Sequence, residues 1–322
     1  MGILIKRLIP IILLLALPLY AQAQGLKDDS LFLNRLGLNN SGLVHGNGGI
    51  DQSDNLPSYD SLTTAYFSKL DGLSITYNQA LKDEYDKYIF YRLDTANSGL
   101  LRAKISCLWL LAPDSSLGLT DTTRCKVNLF YPNYILTTVN LLTWQLGLGV
   151  AGNGASYLNT NFNPTSDSSI IKQNSGGMGL YSRTNSISTD YDMGASTVSD
   201  PDILILAKYI DNKCYVRFNN TSTGQLSAAV ANSTGFYFIT RSDSLKLYKG
   251  GLWIASNTTA STGKMNIDIY IGAVNDGTPP PTNFSTKQFS MGIITAGLTH
   301  IEIGYLNTII EDYFDYKKIG VQ

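Results

Sequence analysis

The sequence predicts a mainly β protein, an antiparallel β-sandwich with a helical segment ahead of it and a packing helix at the C-terminus. Three observations carry that expectation. From about Lys126 onward, short runs rich in Val, Ile, Tyr and Thr alternate with clusters of Gly, Asn, Ser and Asp, the pattern of many short strands joined by turns. Charged residues make up only 15% of the 322-residue chain, which holds 29 Gly and 20 Tyr; solvated helix faces need more Lys and Glu, whereas exposed strand faces use Thr, Ser, Asn and Tyr. Finally, the apolar runs 244–248 and 252–255 flank Lys249-Gly250-Gly251, where glycine supplies the positive φ of a tight hairpin turn.

Taken in order, residues 1–23 read as a secretory signal peptide. Lys6 and Arg7 precede a short apolar run broken by Pro10 and Pro18, and Ala21-Gln22-Ala23 supplies the small residues that signal peptidase needs. The run falls short of the roughly 20 apolar residues of a membrane span; an uncleaved anchor helix is the alternative. No cysteine follows the cleavage site, which argues against a lipoprotein anchor, and no later segment reads as transmembrane. The expected location is secreted, periplasmic or at the cell surface. Removing Lys6 and Arg7 leaves 22 basic against 25 acidic residues, a formal charge of −3. Such a near-neutral chain is not built for electrostatic nucleic-acid binding.

Residues 24–75 read as a flexible leader, because the stretch 39–57 is dense in Asn, Gly, Ser and Asp and has little apolar periodicity. Residues 76–125 read as a helical and strand lead-in packed on the sandwich. Within it, 78–93 has helical spacing: Leu81, Tyr85, Tyr88, Ile89 and Arg92 share one face, opposite Lys82, Asp83, Asp86 and Lys87. Asn97-Ser98-Gly99 breaks the chain, 100–105 reads as a second short helix, and 108–112 as a buried strand ended by Pro113. Residues 126–322 form the predicted sandwich, with strands over 203–207, 214–218, 235–239 and 267–271. At its end, Thr299-His300-Ile301-Glu302 fits a helix capping box. The stripe Ile301, Tyr305, Leu306, Ile309, Ile310, Tyr313 and Phe314 then marks a helix packed on the core.

Several stretches resemble the concanavalin A-like lectin/glucanase domains (LamG-like jelly rolls) of bacterial secreted proteins and phage structural proteins. Residues 152–164, GNGASYLNTNFNP, are similar to their opening strand, and 179–185, GLYSRTN, to the next. Residues 269–273 and 284–288 resemble the late strands, and Gly297-Leu298-Thr299 opens the final helix as in that group. The resemblance reaches back over 78–112 and covers about three quarters of the chain beyond the signal. It implies two antiparallel sheets in a jelly roll. Members bind glycans, cleave them, or act as adhesive or structural modules, so it says more about fold than about function.

Chemistry is sparse. Glycosidases of that fold carry paired glutamates on one strand, because the sugar bond needs an acid and a nucleophile or base across it. This chain has three glutamates, Glu84, Glu302 and Glu311, all in predicted helices. Asp268 has no acidic partner two residues away. His45 and His300 are the only histidines, one in the leader and one at the start of the last helix. Neither is placed for nucleophilic catalysis, and no zinc spacing appears. Residues 147–152, GLGVAG, do not open a helix, so their glycines read as turn and strand-edge residues. The expectation is therefore no enzyme and no cofactor, with calcium as the one alternative to plain solvated turns. For calcium the candidate loops are Asp190-Tyr191-Asp192 and Asn275-Asp276, since that ion wants several oxygen ligands.

The expected activity is non-catalytic binding of a polysaccharide or surface glycan. The alternative is a structural or adhesive component of a cell-surface or phage-like assembly, and glycoside hydrolysis comes third. Sugar rings stack on aromatic faces with amides and carboxylates holding hydroxyls, which nominates Trp253, Tyr191, Asp192, Asn275 and Asp276. Trp253 is also a candidate for core packing, as Trp109 and Trp144 are. Of the three cysteines, Cys107 and Cys125 are nearest in sequence and are candidates for a disulfide; three buried thiols are the equal alternative, and one of the three, Cys214, stays unpaired either way.

Overall fold

A computed structural model describes residues 59–321, apart from Pro132 and Asp200. The expected signal peptide and His45 lie outside the described residues, as does most of the expected leader. The part of the leader that is described is ordered: helix α1 (Ser61–Gly72) starts on Asp60, whose carboxylate accepts from the Leu62 amide at 2.8 Å. It buries Tyr66, Phe67 and Leu70. The boundary at residue 75 is thus corrected, because these apolar residues at helical spacing have a surface to pack on.

The helix expected over 78–93 is present as α2 (Gln79–Tyr85), a π turn over Asp86–Phe90, and α3 (Tyr91–Thr95). Asn78 caps it by accepting from the Leu81 amide. Leu81, Tyr85 and Ile89 are buried as the spacing predicts, and the π turn adds Phe90 to the same side. Asn97, Ser98 and Gly99 all take positive φ and stop the helix. The second short helix expected over 100–105 is only a 3-10 turn at Arg102–Lys104, because the apolar residue Ile105 already starts a buried strand.

Sixteen strands follow among the described residues, with α4 (Thr122–Cys125) after the first. They are β1 (Ile105–Leu110), β2 (Thr137–Val139), β3 (Thr143–Gln145), β4 (Gly149–Ala151), β5 (Tyr157–Asn159) and β6 (Gly176–Ser182). Next come β7 (Met193–Ala195), β8 (Asp202–Leu206), β9 (Lys213–Asn220), β10 (Leu226–Ala229) and β11 (Gly235–Arg241). The last five are β12 (Leu245–Lys249), β13 (Leu252–Asn257), β14 (Tyr270–Ile271), β15 (Val274–Asn275) and β16 (Gln288–Thr295). Helix α5 (His300–Tyr316) closes the chain with the expected capping box between Thr299 and Glu302.

The strands form two eight-stranded sheets. Sheet A runs β13-β12-β11-β6-β16-β4-β3, with β1 also on β16; sheet B runs β10-β9-β8-β7-β14-β5-β2, with β15 also on β7. All pairings are antiparallel except β15 on β7. The strand expected over 267–271 is shorter than predicted, since only Tyr270 and Ile271 pair. The predicted hairpin β12–β13 turns on Gly250 and Gly251, at φ 55° and 74°.

Two apolar layers explain the architecture. Between the sheets, Met178, Leu180, Tyr237, Ile239 and Ile294 of sheet A meet Ile203, Ile205, Val216 and Phe218 of sheet B. On the other face of sheet A, Tyr181, Phe236, Phe238, Tyr248 and Ile293 pack under the helices, with Phe67, Tyr85, Ile89, Leu306, Ile309 and Phe314. The central strands of sheet A, β1, β6, β11 and β16, are therefore buried on both faces. Phe236 and Phe238 approach β6 closely because Gly177 and Gly179 have no side chain there: a Cβ on Gly179 would stand 2.7 Å from the Phe238 ring. In α5 the expected stripe is corrected at two positions. Ile301 and Tyr305 are exposed, while Ile303 is buried, so the packed face is rotated from the one drawn on the sequence. Trp109 is fully buried and donates to the Tyr134 carbonyl at 3.0 Å; Trp144 only flanks the core.

Cys107, Cys125 and Cys214 are separate, buried thiols, so the Cys107–Cys125 pairing does not form. Cys107 and Cys214 occupy apolar core positions, whereas Cys125 lies against Arg124; burial pushes the Cys125 thiol up to about 12.

Candidate functional site

The helices cover sheet A, whereas among the described residues no helical residue joins the core layer against sheet B. The outer face of sheet B is where strand alternation delivers side chains to solvent. On β9, Cys214, Val216 and Phe218 enter the core, so Lys213, Tyr215 and Arg217 point outward. Leu206 on β8 lies opposite Tyr215 in register.

These residues wall an open cleft of about 360 Å³ lined by Thr189, Tyr191, Leu206, Tyr209, Tyr215 and Gln225. Tyr209 sits on the β8–β9 turn, which closes through Tyr209 N to Lys213 O at 2.7 Å. Its ring meets Tyr215 edge to face, with centroids 5.6 Å apart. The Tyr215 hydroxyl donates to Asp211 Oδ2 at 2.6 Å. That bond holds the Asp211 carboxyl below its ordinary range and raises the phenol.

Beside the cleft, Arg217 on β9 bridges Asp202 of β8 and Gln225, the residue before β10. Its Nη1 pairs with Asp202 Oδ2. Its Nε and Nη2 both donate to Gln225 Oε1, at 3.1 and 2.7 Å. Tyr191 lies near this pair: burial raises its phenol above the ordinary value, and Asp202 adds to the rise while Arg217 opposes it.

Tyr191 is held by its neighbour. Asp192 is fully buried and paired with the equally buried Lys287 at 2.9 Å. It also accepts from Ser285 Oγ at 2.6 Å and from the Ala207 amide at 2.7 Å. Asp192 is thus corrected from a ligand-contacting residue to one that fixes the loop carrying Tyr191. Asn275 is buried too: it donates to the Asp268 carbonyl and accepts from the Gly277 amide. Asp276 caps its own turn through Thr278 and Thr282. Although β15 brings Asn275 beside Ala195 of β7, neither Asn275 nor Asp276 lines the cleft. Trp253 is on the edge strand of the other sheet, 58% exposed, with its Nε1 turned to the Ala255 carbonyl. It is corrected from a core candidate to an exposed one, and it does not line the cleft.

At the loops nominated for calcium, the Asp192 oxygens are taken by Lys287, Ser285 and Ala207, and those of Asp276 by Thr278 and Thr282. No group of three or more His, Cys, Asp or Glu side chains among the described residues is arranged to hold a metal. The three glutamates are also engaged: Glu84 with Lys317, Glu302 with Lys104, and Glu311 with the Tyr181 hydroxyl. His300 stacks on Tyr248.

Of the residues nominated from sequence, Tyr191 alone reaches the cleft. Tyr209, Tyr215 and Gln225 were missed. For Tyr215 a signal existed, because the period-two pattern of 213–218 sets it on the face opposite three core residues.

No protein-family model matches the chain, and no curated protein matches it in sequence. Solved structures do. A Trypanosoma rangeli sialidase mutant displaying trans-sialidase activity superposes with a TM-score of 0.50 at 10% identity, over 81% of this chain and 40% of its own. The chain therefore spans less than half of that protein. The fourth domain of an extracellular arabinanase from Geobacillus stearothermophilus, solved with arabinotriose, gives a TM-score of 0.41 at 12% identity over 63% of this chain and 98% of that domain. The binding domain of botulinum neurotoxin serotype D gives 0.41 at 12% identity over 65% of this chain and 51% of that one. At such identities the sialidase likeness establishes a shared β-sandwich and nothing about chemistry.

Proposed function

We propose that this protein is an exported, non-catalytic carbohydrate-binding module that holds its ligand in the Tyr191–Tyr209–Tyr215 cleft. The observation that carries this reading is the convergence of three tyrosines and one amide on a single open cleft, on the sheet opposite the one that the described helices pack on. Its volume lies in the range of small-ligand sites, which combine apolar and aromatic walls with a few placed polar groups. Tyrosine presents a rigid ring for stacking with a polar tip at low entropic cost.

The domain plan belongs to the same proposal: a signal over 1–23, a leader before the first described helix, and a sandwich of the concanavalin A-like type. The motifs at 152–164 and 179–185 support that type, since they fall on β5 and β6. The engagement of all three glutamates supports a binding role over hydrolysis. Among the described residues no helix is long and apolar enough to cross a membrane.

A glycan array followed by calorimetric titration of the best binder tests the proposal. Replacing Tyr215 by Ala should weaken binding by more than about 1 kcal/mol, roughly fivefold. EDTA should leave it unchanged. Undiminished binding by that variant would move the site elsewhere, and loss in EDTA would restore calcium.

One observation favours the adhesive alternative. The edge strand β13 exposes Leu252, Trp253 and Ile254, with none of the charges or prolines that usually guard an edge. Self-association of the pure protein that disappears on Trp253→Lys would support that reading.

A further inference from the structure

Resting on the proposed glycan-binding cleft, we infer that Gln225 is its polar anchor and that the ligand is an uncharged saccharide which presents an oxygen acceptor to the Gln225 amide nitrogen. The argument starts from Arg217. A guanidinium only donates hydrogen bonds, so the Gln225 atom that receives both its Nε and its Nη2 must be the carbonyl oxygen. Ordinarily the two ends of a glutamine amide are interchangeable; here the fork settles them. Asp202 locks the fork by taking Nη1. The amide NH2 is then the remaining end of a side chain that lines the cleft, and Nε2 has no partner among the described residues. Asp202 and Arg217 are positioning residues for this donor.

The charge of the ligand follows from the lining. Three tyrosines, a leucine, a threonine and a glutamine carry no formal charge at neutral pH. Two cations on β9, the strand that carries Tyr215, are already paired with carboxylates: Arg217 with Asp202, and Lys213 with Asp211 at 3.5 Å. A uronate or sialate carboxylate entering the cleft would be desolvated without a counter-ion and would face Asp211 and Asp202, a cost that hydroxyl groups escape. The donor NH2 of Gln225 suits a hydroxyl, ring or glycosidic oxygen.

The test uses an array of neutral and acidic oligosaccharides, then titration of the best neutral binder against wild type, Tyr215→Ala, Gln225→Glu and Arg217→Met. Gln225→Glu keeps the shape and the Arg217 pair but turns the donor into a charged acceptor. It should weaken neutral-glycan binding about tenfold or more while thermal stability is unchanged or higher. Arg217→Met leaves Gln225 in place but frees its amide to turn, and should weaken binding partway. If Tyr215→Ala loses binding but Gln225→Glu binds as wild type does, the anchor is refuted and the cleft stands. Selective retention of acidic glycans that Tyr215→Ala abolishes refutes the neutral class, again leaving the cleft. Absence of retention on the whole array overturns both.

Discussion

Replacing Lys287 by Met tests whether the buried pair with Asp192 organises the part of sheet B that carries the proposed cleft. Both side chains are fully buried, and Nζ lies 2.9 Å from Oδ2. At that distance and an effective dielectric near 20, the Coulomb attraction is about 6 kcal/mol. Desolvation of the two ions offsets much of it, so the intact pair adds little over a well-packed apolar replacement. Removing one ion is different, because the other is left buried and uncompensated, at a cost of about 3–5 kcal/mol. The Ser285 hydroxyl and Ala207 amide remain as donors to Asp192, which places the expected loss toward the lower end. For a domain of this size that corresponds to a fall in Tm of roughly 6–20 °C. Urea unfolding and calorimetry of Lys287→Met, Asp192→Asn and the double variant measure it, with the double variant recovering much of the loss. Since Asp192 also carries Tyr191, the single variants should bind glycan less well than their residual folded fraction accounts for. A loss below about 1 kcal/mol for both single variants would refute the pair as an organising element.

Native protein should give no reaction with a thiol reagent, and denatured protein three thiols, because Cys107, Cys125 and Cys214 are buried and unpaired; a single thiol after denaturation would restore the Cys107–Cys125 bridge. Glu302 and Glu311 should respond to pH in opposite senses. Burial works against ionising Glu302, but Lys104 and the Thr299 donors outweigh it and hold the carboxyl below its ordinary 4.5; its contribution is present above that value and lost as pH falls through the folded one. Burial dominates at Glu311 and raises its carboxyl, so its charge destabilises at neutral pH and the penalty fades as pH falls. Urea unfolding should therefore show Glu311→Gln more stable than wild type at pH 7 and Glu302→Gln less stable there, with the second difference shrinking below pH 4. Gly179→Ala should cost about 1–3 kcal/mol by the same assay, since the added methyl meets the Phe238 ring at 2.7 Å and the Tyr237 carbonyl oxygen at 2.8 Å; wild-type stability would show that the ring moves freely.

Local rules made much of the fold legible. The Gly250-Gly251 hairpin, the helix over 79–95, its stop at Asn97-Ser98-Gly99 and the Thr299–Glu302 capping box each depend on residues within a few positions of one another, so the chain declares them before it folds. The two-sided burial of sheet A was legible only in part, in the apolar run 108–112 read as a buried strand, which starts within β1. What sequence alone left undecided was which face of sheet B stays open and which polar side chains meet there. Tyr191, Tyr209, Tyr215 and Gln225 come from three separate segments, and only the pairing of β7 with β8, of β8 with β9 and of β9 with β10 sets them around one cleft. Asp192 and Asn275 looked like ligand groups because turns and binding loops use the same residues. Asn275 is engaged locally, by the Asp268 carbonyl and the Gly277 amide, whereas the partner of Asp192, Lys287, is remote in the chain and only tertiary packing sets it there. The same holds for Trp253: its position in a strand was readable, but its exposure follows from the place of β13 at the edge of the sheet, and pairing order is a property of the assembled fold.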